Sequence, residues 1–275
     1  EALWANRNFF GGGRRLQVRG RVSNLLTADL DETWLCDQAG SGAYGKLDWL
    51  VSADFSQPFV ITRRHSLAAS VYAERQSLQN VFVREAVGAT LALTRSVGRA
   101  SPITLSYRPQ LARLDAAEVF FCTSALVCDP AEIDLLQEAN TLSPLGLTFS
   151  RDRTDNPIEP RAGYRSLIDL ESAGGWSGSD FAHQRAIAEI SGYYGLAEGV
   201  VLAGRVRGGW VRAGVFEGLT TSTGEVRRIA HPEKRFYGGG SNSVRGYAQN
   251  QLGPKIVSVD VDDLVLPGGA SEGEE

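Results

Sequence analysis

The strongest constraint on this chain is a period of two in its apolar residues, sustained for longer than an ordinary strand. From Leu47 the apolar set Leu47, Trp49, Val51, Ala53 and Phe55 interleaves with Lys46, Asp48, Ser52, Asp54 and Ser56, with Leu50 as the one exception. Such alternation describes a strand with one greasy and one wet face. Similar ladders stand at Leu16, Val18 and Val22 against Gln17, Arg19 and Arg21, and at Leu67, Ala69, Val71 and Ala73 against Ser70, Tyr72 and Glu74. Others follow at Val87 to Leu93 and Ile103 to Tyr107, and later strands are expected at roughly 145–155, 163–174, 182–196 and 200–213. Globular strands usually run about 5–6 residues, whereas bilayer-crossing strands need about 9–11, the figure these ladders fit. Arg205 and Arg207, separated by Val206, share a face. A wet or ion-paired lumen accommodates two arginines and lipid does not.

The connections are of two kinds. Short turns fall near Pro58, near Gly98, at Asp155 to Gly163 and near Gly199, and longer loops at about 25–43, 117–142, 174–181 and 214–262. Up-and-down membrane barrels alternate short periplasmic turns with long external loops. The short connection from Leu78 to Val81 has to count as external to keep that parity. Within 117–142, Asp129, Pro130, Ala131 and Glu132 read as a capping box with Pro at the first helical position, followed by Ile133, Leu135 and Leu136. A short amphipathic helix is expected there, as a plug or rim on the barrel.

Composition narrows the function. A net charge of −4 and a pI near 5.6 argue against nucleic-acid binding. No stretch reaches the ~18 apolar residues of a spanning helix, a test that barrel strands escape. His65, His183 and His231 sit in unlike contexts, and no nucleophile, zinc or phosphate-binding motif accompanies them, so no enzyme is expected. Asp260, Asp262 and Asp263 lack the glycine and terminal Glu of a calcium loop, and neither metal nor cofactor is expected. Cys122 and Cys128, enclosing TSALV, are a candidate loop disulfide, with three unpaired thiols as the alternative and Cys36 left over in either case. All three fall in expected external loops.

Three segments resemble one family in order along the chain. Arg235 to Tyr247 reads RFYGGGSNSVRGY, similar to the long sixth external loop of the BamA/TamA superfamily of outer-membrane β-barrel assembly proteins. SRDRTDNPIEPRAGYR at 150–165 resembles that family's acidic-Asn-Pro turn, and WANRNFFGGGRRL near the start resembles its second strand and first turn. The TamA type is the nearer in character. The resemblance implies an all-β, antiparallel up-and-down transmembrane barrel, incomplete at about nine or ten of sixteen strands. Residues 1–275 are then a partial barrel domain in which 214–262 form a loop folded into the lumen. With no Met and a start at Glu1, the chain is expected to be an excised or processed piece. POTRA repeats, the first strand and the last four or five strands would lie outside it.

The resemblance also assigns roles. Arg245 of VRGY would contact acidic groups on the inner wall, with Asp169, Glu171 and Glu189 as candidates. Guanidinium suits that task because it stays charged and pairs with carboxylates in bidentate geometry. Phe236, Gly238, Gly239, Val244, Gly246 and Tyr247 complete the anchoring motif, the glycines allowing sharp turns. The implied activity is insertion or export of β-barrel or autotransporter proteins in the bacterial outer membrane. The implied partners are outer-membrane lipids, unfolded substrate proteins and a periplasmic or inner-membrane partner reached through POTRA repeats.

A passive porin or substrate-specific transporter, a TpsB-like exporter and a soluble β-rich binding domain are the competing readings. The full-length protein is expected to partition into membranes and to show heat-modifiable migration. Recovery in the detergent-free soluble fraction would instead support the soluble domain.

Overall fold

The computed structural model describes residues 1–25, 46–78, 82–98, 100–115, 133–134, 137–220, 226–228, 234–236, 238–239, 244–247 and 252. Its strands are β1 (Ala2–Asn6), β2 (Arg15–Ser23), β3 (Asp48–Pro58), β4 (His65–Leu78), β5 (Phe82–Gly98), β6 (Ser101–Tyr107) and β7 (Gln110–Asp115). Then come β8 (Asn140–Leu142), β9 (Leu145–Asp152), β10 (Ala162–Ala173), β11 (Phe181–Ala197), β12 (Val200–Thr220) and β13 (Val226–Arg228). The sheet path runs β1-β2-β3-β4-β5-β6-β9-β10-β11-β12-β13, with every pairing antiparallel and its two end strands unjoined.

The short strands β7 and β8 are continuations. Along β5, Leu91 faces Tyr107 of β6 and Gly88 faces Gln110 of β7, three residues against three, so β6 and β7 hold one register. In the same way Tyr107 faces Leu145 of β9 and Gln110 faces Leu142 of β8. Pro109 and Pro144 cause both interruptions, since proline has no N–H for the ladder. Their carbonyls still serve it: Ala89 N–H donates to Pro109 O at 2.9 Å and Arg108 N–H donates to Pro144 O at 3.1 Å. Counted this way, nine long strands lie side by side, with the short β1 and β13 at the two ends of the path.

Two expected boundaries move. The strand placed at about 145 begins at Asn140, inside the segment read as loop, because its alternation is cut by Ser143-Pro144 while its pairing is not. The loop placed from residue 214 begins later, because β12 continues to Thr220 and pairs with β13. The expected helix at 129–136 falls largely outside the described residues. Ile133, Asp134 and Gln137 are helical, and Glu138 N–H donates to Asp134 O at 3.0 Å. Cys36, Cys122 and Cys128 also lie outside the described residues.

The register assigns the faces. Val51, Val71, Val87 and Leu91 stand on the outward face, where Val71 is 58% exposed and Val87 54%. On a water-soluble sheet so continuous an apolar surface would be covered; on a barrel wall it meets lipid. Phe10, Phe59, Tyr164 and Tyr194 lie exposed toward the short-turn end, and Trp49 and Trp176 toward the other, the placement of interfacial aromatic girdles. Wet-face side chains interlock across strands. Tyr72 lays its ring over Gly88 of β5, where an added Cβ would come within 2.8 Å of it, and its hydroxyl donates to Gln110 Oε1 at 2.8 Å. Arg84 pairs with Glu74 beside it.

The acidic-Asn-Pro turn is built by two side chains that replace absent backbone partners. Asp155 Oδ1 accepts from the amides of Asn156, Arg161 and Ala162, and Asn156 Oδ1 accepts from Ile158 and Glu159. Gly163 closes the turn at φ 102, against the Arg153 carbonyl, where no Cβ fits.

The amides of Ala162 and then Arg161 hold the Asp155 carboxyl below its ordinary range. A lowered folded-state value means stability that is complete above the ordinary carboxylate range and lost as pH falls through the lowered value. Asp155→Ala is therefore expected to destabilise the protein toward urea at neutral pH, with wild type and variant converging in strong acid.

Candidate functional site: a loop seat on the polar wall

Strand parity turns a set of charged residues toward one face. On β10, Asp169 and Glu171 share a face; opposite them on β11 stand Ile187 and Arg185, and Leu167 faces Glu189. On β12 the same face carries Gly209, opposite Ile187, and Arg207, opposite Glu189. Arg108, just beyond β6, joins this face from the far side and bonds to Glu171.

Glu171 is the centre of the group. Its carboxylate is 1% exposed and meets Arg108, His183 Nε2 at 2.7 Å and Lys234 Nζ at 2.8 Å. An ionised carboxylate only accepts, so His183 contributes the Nε2 proton and its imidazole is oriented by that bond. A carboxylate so fully removed from water persists only with cations and hydrogen bonds around it. Two of its three partners come from neighbouring strands or their ends. The third, Lys234, comes from the long loop.

Phe236 makes the second contact of the same loop segment. Its ring lies over Gly209, where an added Cβ would be 2.5 Å from Phe236 Cζ, and Arg185 stacks on it with the guanidinium carbon 5.0 Å from the ring centroid. Glycine is the one residue that leaves room for the ring at that place on the wall. Further along, Gly238 forms an antiparallel bridge with Leu252, and Leu252 N–H donates to Gly238 O at 3.0 Å. Gly239 adopts a left-handed φ of 104.

Val244, Arg245, Gly246 and Tyr247 form a tight turn, with Tyr247 N–H donating to Val244 O at 3.1 Å, and all four are exposed. The three carboxylates considered as partners of Arg245 have other partners. Glu171 is held as described, Glu189 pairs with Arg205 at 2.9 Å and Arg207 at 3.8 Å, and Asp169 accepts from Thr148 at 2.7 Å with Arg185 at 3.9 Å. Arg245 pairs with none of them among the described residues. Lys234, Arg108, His183, Arg185 and Gly209 escaped sequence reasoning. Strand parity could have placed His183 and Arg185 beside Glu171, but nothing in the sequence pairs Lys234 with Glu171 or Phe236 with a glycine 27 positions earlier.

A sheet of long antiparallel strands, greasy outside and charged inside, with a loop segment against the charged face, defines a wall of an outer-membrane β-barrel. The chain belongs to the Omp85 superfamily, whose domain pattern, described as the Omp85 superfamily domain, matches residues 8–270. It is 29% identical over 224 residues to the outer membrane protein assembly factor BamA of Nitratidesulfovibrio vulgaris strain Hildenborough, covering 78% of this chain and 26% of that protein. It is 32% identical over 108 residues to BamA of Neisseria meningitidis serogroup B, covering 39% of this chain and 12% of that protein. The chain thus spans about a quarter or less of either relative. Its fold is similar to a crystal structure of BamA from Haemophilus ducreyi lacking POTRA domains 1–3, with TM-score 0.65, 18% identity, and coverage of 94% of this chain and 44% of the other. Both curated relatives are BamA proteins, so the expected TamA character gains no support from them. Family membership places the chain in the outer membrane.

If Lys234 and Glu171 act as one unit, a double-mutant cycle of Lys234→Met and Glu171→Gln will show a coupling of about 1–3 kcal/mol in unfolding of the reconstituted full-length protein. Strict additivity would mean that the loop and wall are independent.

Proposed function

We propose that this chain is the greater part of the membrane barrel of an outer-membrane assembly or translocation factor, which helps to insert or export β-barrel or autotransporter proteins. Family membership and the curated relatives, both named assembly factors, support the reading. The observation that carries it at the level of residues is the loop segment on the polar wall, Lys234 on Glu171 and Phe236 on Gly209. A segment held at two points narrows the lumen, which suits a barrel whose work is done on the membrane and at strand edges more than through an open pore. The substrates would be unfolded outer-membrane chains. Membrane lipids and a periplasmic or inner-membrane protein, engaged through POTRA repeats elsewhere in the full protein, would be its partners. The part of 214–262 that follows Thr220 serves as the in-folded loop, and Arg245 pins its tip to a carboxylate other than Asp169, Glu171 and Glu189.

Depletion of the full-length protein is the direct test. An assembly factor requires many outer-membrane β-proteins to fall together; loss of one secreted partner would indicate an exporter of the TpsB type, and loss of small-solute uptake alone a porin. In planar bilayers the wild-type protein is expected to conduct weakly, with Arg245→Ala and Lys234→Ala each raising conductance. Unchanged conductance in both would overturn the role given to the loop.

A further inference from the structure

The short-turn end of the barrel carries an arginine excess that the loop seat does not use. Among the described residues of the short turns, Arg7, Arg14, Arg63, Arg64, Arg153 and Arg161 stand against three acids, Asp155, Glu159 and Glu198. Asp155 directs one carboxylate oxygen at the three backbone amides of its own turn. None of the six arginines forms an ion pair among the described residues, and all but Arg14 are exposed. One connection at the opposite end has the reverse composition. Residues 116–139 contain Glu118, Asp129, Glu132, Asp134 and Glu138 and no Lys or Arg. The net charge of −4 therefore conceals an uneven distribution, basic at the described short turns and acidic in the 116–139 connection, whereas the longest loop, 214–262, is close to balance.

Two further arginines say what the basic end faces. Arg95 on β5 lies in a cross-strand row with Ile103, Phe149 and Ile168, all on the outward, lipid-facing side. Arg151 on β9 lies on the same side, opposite Ser166, with its guanidinium 6.0 Å from the Tyr164 ring. Arg151 Nε is buried without a hydrogen-bond partner among the described residues, and Arg95 has no ion pair there. At the other end of the wall the outward-facing Arg75 bonds to Asp48 and lies 3.6 Å from Glu85, while Arg113 and Arg212 also face outward there. A protein docked beneath the turns would reach the rim arginines but not side chains that look sideways into the bilayer. A lipid headgroup reaches both.

We infer that Arg95 and Arg151, with the turn arginines below them, form a binding surface for anionic phospholipid headgroups in the leaflet nearest the short turns. A phosphodiester takes two guanidiniums through charge-assisted hydrogen bonds. Long arginine stems reach from a lipid-facing strand to the headgroup layer while the Tyr164 ring supports the same level. The surface rests on the barrel's orientation and not on its assembly activity, so either can fail alone.

The test uses the full-length protein reconstituted in phosphatidylcholine vesicles, with spin-labelled phosphatidylglycerol or spin-labelled phosphatidylcholine as the probe of motionally restricted lipid. Wild type is expected to prefer phosphatidylglycerol about fivefold, the factor that one arginine's surface attraction supplies, and to lose most of that preference in high salt. Arg95→Gln with Arg151→Gln, checked for retained heat-modifiable migration, should bring the preference close to unity. Equal restriction of the two lipids by wild type overturns the proposal. So does a preference that survives the double substitution and disappears only when the turn arginines are replaced, the result a site for a periplasmic protein would give.

Discussion

Inside a bilayer the backbone has no water to fall back on, so each N–H and C=O that crosses it must be answered by the adjoining strand. The sheet follows from that demand. Its nine long strands succeed one another by hairpins, and the register from β5 through β6 and β7, and on to β8 and β9, holds across two prolines. Pro109 and Pro144 sit in one seam, where the loss of two donors is confined to a single place and both carbonyls remain in use. With the ladder fixed, strand parity decides everything else: which residues meet lipid, which meet one another, and where a loop finds charge.

Much of this could be read from the chain. The alternation at Leu47 to Phe55 located β3 and even its one misfit, Leu50, which stands on the wet face beside Ser52 and Asp54. The short turns were legible because their chemistry is local, as Asp155 and Asn156 show by satisfying amides within seven residues. Strand ends were harder. Asn140–Leu142 and the end of β12 have little periodicity of their own and are ordered by their pairing with β7 and β13. The loop seat was hardest, since it depends on Glu171, His183, Gly209 and Lys234 converging from three strands and a loop, and no spacing rule joins them.

The electrostatic arrangement of the wall differs between its two faces. Inward, charges are matched closely: Glu171 with Arg108 and Lys234, Glu189 with Arg205 and Arg207, and Glu74 with Arg84. Removing one member of the buried Glu171 set would strand the others, a larger penalty than any single pair contributes to stability. Outward, charge is sparse and segregated by depth. The inner face therefore favours one loop position over others, while the outer face orients the barrel along the membrane normal.

Gly209 gives the long loop an origin. With the Phe236 ring seated over it, the chain that follows is a tether of known start, and Arg245 lies nine residues further on. An extended chain covers at most about 3.3–3.6 Å per residue, so the Arg245 backbone is confined to a radius of roughly 30 Å about Phe236, before its own side chain is counted. The motif at the tip thus searches a bounded volume. A carboxylate outside that volume is unreachable however attractive its charge, and a change at Gly209, remote in sequence from VRGY, would move the centre of the search.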